Sequence, residues 1–291
     1  MRIGNREFDV ENRTYVMGIL NVTPDSFSDG GKWNSMDRAL VHVEEMLAEG
    51  MDILDIGGES TRPGSDYSMS PQEELERVMP YIQAVKARFD VPLSLDTYKS
   101  QVAEAGIAAG VDLINDIWGL KWDEEMARVI GEHDVACCLM HNRRKAGHPT
   151  SQTQAGEVTN EFGYGNFQED VAADLAESVE LALRAGIGRD RIILDPGVGF
   201  AKSYEQNLQV IHRLESLRAL GYPLLLGTSR KSVVGLTLDL PVTERLEGTL
   251  VTTVMGVLKG CAFVRVHDVK ENVRAIRMAR AILEERKPDS D

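Results

Sequence analysis

Cysteine is scarce in this sequence, three among 291 residues. Two of them, Cys137 and Cys138, are neighbours inside the apolar run from Val135 to Met140, and Cys261 stands alone. So small and odd a set excludes a disulfide framework, disfavours a zinc site, and fits buried thiols in a reducing compartment. Long apolar runs are also missing. No segment approaches the roughly 20 apolar residues that a membrane span needs. The first twenty residues mix charges with apolar side chains and hold no signal-peptide core, so a cytoplasmic protein is expected and the Asn12 and Asn21 sequons read as chance matches. Basic charge is in deficit, with 32 Lys plus Arg against 46 Asp plus Glu and a formal net charge of -14. Such a surface repels nucleic-acid phosphates and anionic lipid, so neither nucleic acid nor membrane is an expected partner. Disorder is excluded by the 43% hydrophobic and 27% charged content. A Pro/Ser-rich linker is lacking too, and residues 1–291 read as one domain.

What is present is a rhythm. Short β-branched or aliphatic runs recur at Tyr15 to Leu20, Asp52 to Ile56, Pro92 to Leu95, Asp112 to Ile114, Val135 to Met140, Arg191 to Leu194, Pro223 to Leu226 and Cys261 to Val266. Most are apolar on consecutive residues, the pattern of parallel strands covered on both faces. Between them lie helical periodicities at Ser35 to Glu49, Ser70 to Phe89, Lys99 to Ala109, Asp123 to His133, Gln168 to Ala185, Ser203 to Leu220, Thr243 to Lys259 and Val269 to Glu285. Gly50, Gly110, Gly186 and Gly221 follow helical stretches where left-handed caps belong, and Asp268 is placed to cap the last helix. Eight βα units predict an α/β fold, a closed (β/α)8 TIM barrel, with an open doubly wound sheet as the rival. Residues 1–13 form an N-terminal arm, whose Arg2 to Val10 segment suits a hairpin closing the barrel's lower end, and 287–291 a flexible tail. The fifth βα loop, His141 to Phe167, is longer than such loops usually are; its Arg143, Arg144 and Lys145 fit either a solvated tip or an anion contact.

In such a barrel the chemistry sits at the carboxyl ends of the strands. The residues leaving the strands are Asn21; Glu59, Thr61 and Arg62; Asp96; Asn115 and Asp116; His141; Asp195; Ser229, Lys231 and Ser232; and Arg265 with His267. Any one of these can be a mere helix cap, but a whole ring of caps is a poor explanation. Asp96, Asn115 and Asp195 suit the N–H and amino edge of a flat heterocycle. Arg62, Lys231, Arg265 and His267, with Asn21, suit a polyanion such as diphosphate, together with Mg2+ on the Asn21 oxygen. Neither Asp195-Pro-Gly-Val-Gly-Phe200 nor Gly227-Thr-Ser-Arg-Lys-Ser232 has P-loop spacing, so nucleotide hydrolysis has no support. His141 and His148 do not make a zinc site.

Two loops carry a more specific signal. Asn21-Val-Thr-Pro-Asp-Ser-Phe-Ser-Asp-Gly-Gly31 and Asp55-Ile-Gly-Gly-Glu-Ser-Thr-Arg-Pro-Gly64 resemble the two signature loops of the dihydropteroate synthase family of pterin-binding enzymes. The resemblance continues in order through Leu95-Asp-Thr97, Ile114-Asn-Asp116, Leu194-Asp-Pro-Gly-Val-Gly-Phe200, Ser229-Arg-Lys-Ser232 and Val264-Arg-Val-His-Asp268. It implies a (β/α)8 barrel and a transferase of folate biosynthesis. That reaction condenses 6-hydroxymethyl-7,8-dihydropterin diphosphate with 4-aminobenzoate, releasing diphosphate and giving 7,8-dihydropteroate.

By the same resemblance, Asp96, Asn115, Asp195 and Lys231 hold the pterin ring, and Met140, Phe200 and Gly227 line its slot. Asn21, Arg62, Arg265 and His267 hold the diphosphate, Asn21 with Mg2+ as cofactor. Phe27, Thr61, Pro63 and Ser232 form the aminobenzoate site, completed when the first two loops close. Asp29 and Asp96 supply negative charge to the cation left by diphosphate loss, and Lys231, Arg265 and His267 complete the implied catalytic set. A homodimer and competition by sulfonamides are implied as well. Two departures stand out. After His141 the family usually has a short Met-Gln-Gly segment where this chain has Asn-Arg-Arg and a longer loop, and Val233 follows Ser232 where an aromatic residue is common. Two rival readings remain, a methyltetrahydrofolate corrinoid methyltransferase and a non-catalytic pterin-binding paralogue. The first needs neither a diphosphate clamp nor aminobenzoate loops; the second is at odds with the intact Asn21, Asp29, Arg62, Lys231, Arg265 and His267.

Overall fold

The computed structural model describes residues 1–22, 32–59, 68–143 and 162–287. A two-stranded antiparallel hairpin, β1 (Arg2–Ile3) and β2 (Arg6–Glu7), precedes eight parallel strands: β3 (Tyr15–Asn21), β4 (Ile53–Gly57), β5 (Leu93–Asp96), β6 (Leu113–Asp116), β7 (Ala136–Met140), β8 (Ile192–Asp195), β9 (Leu225–Leu226) and β10 (Phe263–Val266). They run in the order β8-β7-β6-β5-β4-β3-β10-β9. The ring closes where Leu194 bridges Leu224 in parallel and its N–H donates to the Pro223 carbonyl at 3.0 Å. The predicted (β/α)8 barrel is therefore the observed fold, and the open sheet is not.

Because successive side chains alternate across a strand, each barrel strand has one face toward the axis and one toward the helices. Ile53, Leu113, Ile193 and Phe263 lie in one apolar layer inside the barrel, and the hairpin plugs that end with Ile3 and Phe8. Two positions further along the same faces come Asp55, Asn115, Asp195 and Arg265. A period of two thus turns an apolar floor into a polar rim. On the alternate face Leu54, Ile114, Leu139, Leu194 and Val264 pack against the helical layer, which is why these strands read as unbroken apolar runs.

That layer comprises, among the described residues, α1 (Lys32–Ala48), α2 (Pro71–Arg88), α3 (Ser100–Ala108), α4 (Met126–His133), α5 (Phe167–Arg184), α6 (Tyr204–His212), α7 (Leu214–Leu217), α8 (Ser232–Leu238), α9 (Leu246–Leu258) and α10 (Val269–Glu284). The four glycines expected to end helices all take positive φ, from +77° at Gly221 to +100° at Gly50. Three expectations are corrected. The sixth helix is broken at Arg213, whose carbonyl accepts from both the N–H (3.0 Å) and the hydroxyl (2.8 Å) of Ser216 and so closes a tighter turn. The seven residues of α8, too short and too glycine-bearing to show a period, form an extra helix before α9. Asp268 stands at the start of α10 but does not cap it, because its carboxylate pairs with Arg230, whose Nε lies at 3.0 Å.

Candidate active site

The last inward positions of neighbouring strands set the rim. Asn21 is in register with Gly57, Gly57 with Asp96, Asp96 with Asn115, and Met140 with Asp195. Glycine leaves room between the polar groups. A Cβ on Gly57 would lie 3.5 Å from the Asp96 Cβ and 3.8 Å from Asn21 Oδ1. A Cβ on Gly227 would lie 3.5 Å from Asp195 Oδ2 and 3.9 Å from both Lys231 Nζ and the Arg265 Cβ. The side chains of Asp195, Lys231 and Arg265 thus converge on the Gly227 backbone, and those of Asn21 and Asp96 on Gly57.

Arg265 does not stand free in this cavity. Its Nε donates to Asp55 Oδ2 at 2.6 Å and its Nη2 to Asp96 Oδ2 at 2.8 Å. The Ser94 hydroxyl donates to the other Asp55 oxygen. Burial opposes the guanidinium charge, but Asp55 and Asp96 outweigh it and hold Arg265 above its ordinary range. Burial pushes the Asp96 carboxyl up, against the pull of Arg265 and with the help of Asp55. Asp195 is raised by burial as well, partly offset by Lys231 and by the Gly197 N–H, which donates to its Oδ1 at 2.7 Å. One fixed cation shared by two buried carboxylates leaves this side of the cavity suited to a partner rich in N–H donors.

Lys231 sits at the start of α8, donates from Nζ to the Val198 carbonyl at 2.6 Å, and lies 4.8 Å above the Phe200 ring. Phe200 belongs with Met140, Ile117, Trp118 and Tyr98 to a separate buried apolar cluster at the same end of the barrel. The barrel mouth therefore sets apolar side chains beside a polar rim, a composition suited to a flat heteroaromatic ligand. His267 is half-buried. Its backbone N–H donates to Ser229 Oγ at 3.1 Å, and the same oxygen lies 3.0 Å from His267 Nδ1, so Ser229 orients the imidazole. Ser232 is the exposed first residue of α8. Phe27, Asp29, Thr61, Arg62 and Pro63 lie outside the described residues, as do Arg144 and Lys145.

Two members of the strand-end ring, and Arg143 of the fifth loop, do other work. Asp116 accepts from the N–H groups of Trp118 (2.8 Å) and Leu120 (2.7 Å), holding a turn. His141 is buried between Asp174 (3.0 Å from Nε2) and Lys202 (2.7 Å from Nδ1). Arg143 pairs with Asp174 and stacks 4.4 Å from the Tyr164 ring, so it is neither a solvated tip nor a free anion contact. Two residues given no role from the sequence matter here. Asp55 holds Arg265; its signal was a carboxylate inside the apolar strand Ile53–Gly57. Lys99 joins Glu59 (2.7 Å) to Glu74 (2.5 Å) where β4 ends; no pattern pointed to it. All three cysteines are free and buried, with the Cys261 thiol pushed up to about 12 by burial. Among the described residues no group of three His, Cys, Asp or Glu could hold a metal ion.

The family model of pterin binding enzymes matches residues 17–267. A dihydropteroate synthase of Clostridium beijerinckii is 54% identical to this chain over 97% of it and 99% of the relative. This chain belongs to the dihydropteroate synthase family. Solved structures of that family superpose on it. The Clostridium difficile dihydropteroate synthase, crystallised in the presence of pteroic acid, has a TM-score of 0.85 at 48% identity, covering 95% of this chain and 99% of its own. The Yersinia pestis dihydropteroate synthase, in a sulfonamide drug complex, has a TM-score of 0.86 at 39% identity, covering 98% and 99%. Likeness to the dihydropteroate synthases thus extends over nearly the whole chain, including the barrel end where the polar rim lies.

Proposed function

We propose that this chain, as one pterin-binding barrel domain, is the transferase that condenses 6-hydroxymethyl-7,8-dihydropterin diphosphate with 4-aminobenzoate to give 7,8-dihydropteroate and diphosphate. The observation that carries the reading is the convergence of Asp96, Asn115, Asp195 and Lys231 beside the Met140 and Phe200 wall, in a chain of this family. The carboxylates and the Asn115 amide match the donor-rich edge of a reduced pterin, and the apolar wall matches its face. Lys231 and Arg265, the latter with N–H donors beyond the two given to Asp55 and Asp96, and His267 offer positive character to diphosphate with Arg62. Asn21 supplies one neutral oxygen at the rim. That suits Mg2+, which keeps several waters and is bound largely through substrate phosphates; when bound it neutralises charge on the leaving diphosphate.

Loss of diphosphate leaves a cation delocalised into the pterin, and Asp96 with Asp29 supplies the opposing charge. The arylamine then attacks the methylene carbon and sheds a proton. Phe27, Thr61, Pro63 and Ser232 form the aminobenzoate site, with the first two loops excluding the water that would otherwise capture the cation. Sulfonamides compete at that site as aminobenzoate mimics. The exposed apolar side chains of Val251 and Leu258 on α9 and Met278 and Ile282 on α10 support a homodimer through these packed helices. No helix among the described residues is long and apolar enough to cross a membrane, and the acidic chain with free thiols supports a cytoplasmic enzyme. The test is incubation of the pure protein with the pterin diphosphate and labelled 4-aminobenzoate, with and without Mg2+. Labelled dihydropteroate is expected with Mg2+; none from folded protein refutes the reading.

A further inference from the structure

The carboxyl ends of β7 and β8 are joined by a chain of polar side chains, buried at Lys202 and His141 and partly exposed at Asp174 and Arg143, that takes no part in the chemistry above. Lys202, only 6% exposed, donates from Nζ to His141 Nδ1 (2.7 Å), to the Gly197 carbonyl (3.0 Å) and to the Phe200 carbonyl (3.1 Å). An ammonium has hydrogens and no lone pair, so His141 Nδ1 must be the acceptor and the imidazole proton sits on Nε2. From there it donates to Asp174 Oδ2 at 3.0 Å. Arg143 completes the chain with Nε and Nη2 on the two Asp174 oxygens, at 2.5 and 3.2 Å. Its Nη1 reaches the carbonyls of Phe162 (3.3 Å) and Gly163 (3.2 Å), so both stems of the fifth loop are held together.

What the buried ammonium organises is the turn after β8. Gly197 has φ +69°, and a Cβ there would lie 2.0 Å from the His141 carbonyl oxygen, so the two loops pass in direct backbone contact. The same turn presents the Val198 carbonyl to Lys231 and the Phe200 ring beneath its Nζ. A buried ammonium is costly unless hydrogen-bonded; the pairing to His141 and the two carbonyls makes Lys202 a rigid strut.

We propose that Lys202, held through His141 by Asp174 and Arg143, is the positioning residue for the pterin slot. It sets the backbone from Gly197 to Phe200 and so the placement of Phe200 and Lys231. This rests on the pterin reading of the rim, and it separates the two substrates: displacing the turn harms pterin diphosphate recognition, whereas three of the four aminobenzoate residues belong to the segments after β3 and β4 and only Ser232 adjoins Lys231.

The experiment is steady-state kinetics on Lys202→Met, with calorimetric affinity for the pterin diphosphate and a melting temperature for each protein. A shift of the slot by a fraction of an ångström is expected to raise KM for the pterin diphosphate about ten-fold, with KM for 4-aminobenzoate changed less than about two-fold. His141→Gln keeps one acceptor and one donor at a similar spacing and is expected to restore the wild-type pterin KM relative to His141→Leu. Should Lys202→Met not fold, Arg143→Ala at the partly exposed end carries the test, with a smaller, equally one-sided rise. A lowered melting temperature with both KM values unchanged, or an equal rise in both, overturns the proposal. If the wild type binds the pterin diphosphate but makes no product, and Lys202→Met weakens that binding, the catalytic reading fails and the positioning role stands.

Discussion

Asp195 and His141 sit at the ends of adjacent strands, with the His141 N–H donating to the Asp195 carbonyl at 2.9 Å. Burial moves their proton affinities in opposite directions because it penalises whichever form is charged. Asp195 is raised and offers the cavity a carboxyl beside Lys231; His141 is pushed down to about 3, by burial and then by Lys202, and stays neutral. Asp195→Ala is expected to weaken pterin diphosphate binding by about 1.5–3 kcal/mol, the worth of hydrogen bonds to a charged group. Unchanged calorimetric affinity would remove Asp195 from ring recognition. For His141 the sign follows from linkage. Above its ordinary 6.5 both folded and unfolded chains hold it neutral. As pH falls from there toward about 3, only the unfolded chain takes up the proton, so stability drops by about 1.4 kcal/mol per pH unit. Melting temperatures across that window should fall more steeply for the wild type than for His141→Gln; parallel curves would show that His141 is not what titrates.

At the scale of elements, the hairpin and the rim occupy opposite ends of the barrel, so one can be removed without touching the other. Deleting residues 1–10 exposes the apolar floor that Ile3 and Phe8 cover. A fully buried Ile or Phe contributes roughly 1.5–3 kcal/mol, so the urea midpoint should fall markedly while the pterin KM stays near the wild-type value at low temperature. A changed KM would mean that the hairpin reaches the site. The barrel strands were legible as elements because both faces are covered, and the helix ends because glycine is needed where φ turns positive. α8 and the break at Arg213 were not legible, since a seven-residue helix carries no period and the Arg213 carbonyl is taken by a side chain that periodicity ignores. Asp268 carried a capping pattern, but Arg230, 38 residues away, competes for its carboxylate and wins as a charged partner.

For the whole molecule, a net charge of -14 does not forbid binding of a small anion, because local cations decide it: Lys231 and Arg265 stand at one barrel end, and Arg265 keeps N–H donors beyond the two given to Asp55 and Asp96. The most exposed of the large apolar side chains among the described residues lie on α9 and α10, where Val251 is 64% and Ile282 65% accessible. If the proposed homodimer forms through these helices, Val251→Glu with Ile282→Glu halves the sedimenting mass; an unchanged mass removes α9 and α10 from any interface.

Sequence alone determined the number and order of the barrel strands and the residue types at the strand ends, because burial on both faces acts locally along a chain. Tertiary structure alone decided which of those polar residues face the cavity. Asn115 and Asp195 point inward by their place in the strand, whereas Asp116, one residue on, is turned to the backbone of its own loop. Arg265 meets Asp55 across 210 residues of chain, and Lys202 meets His141 across 61. Such partners are chosen by the closure of the ring, which brings distant strand ends within hydrogen-bonding range, and no local pattern records that choice.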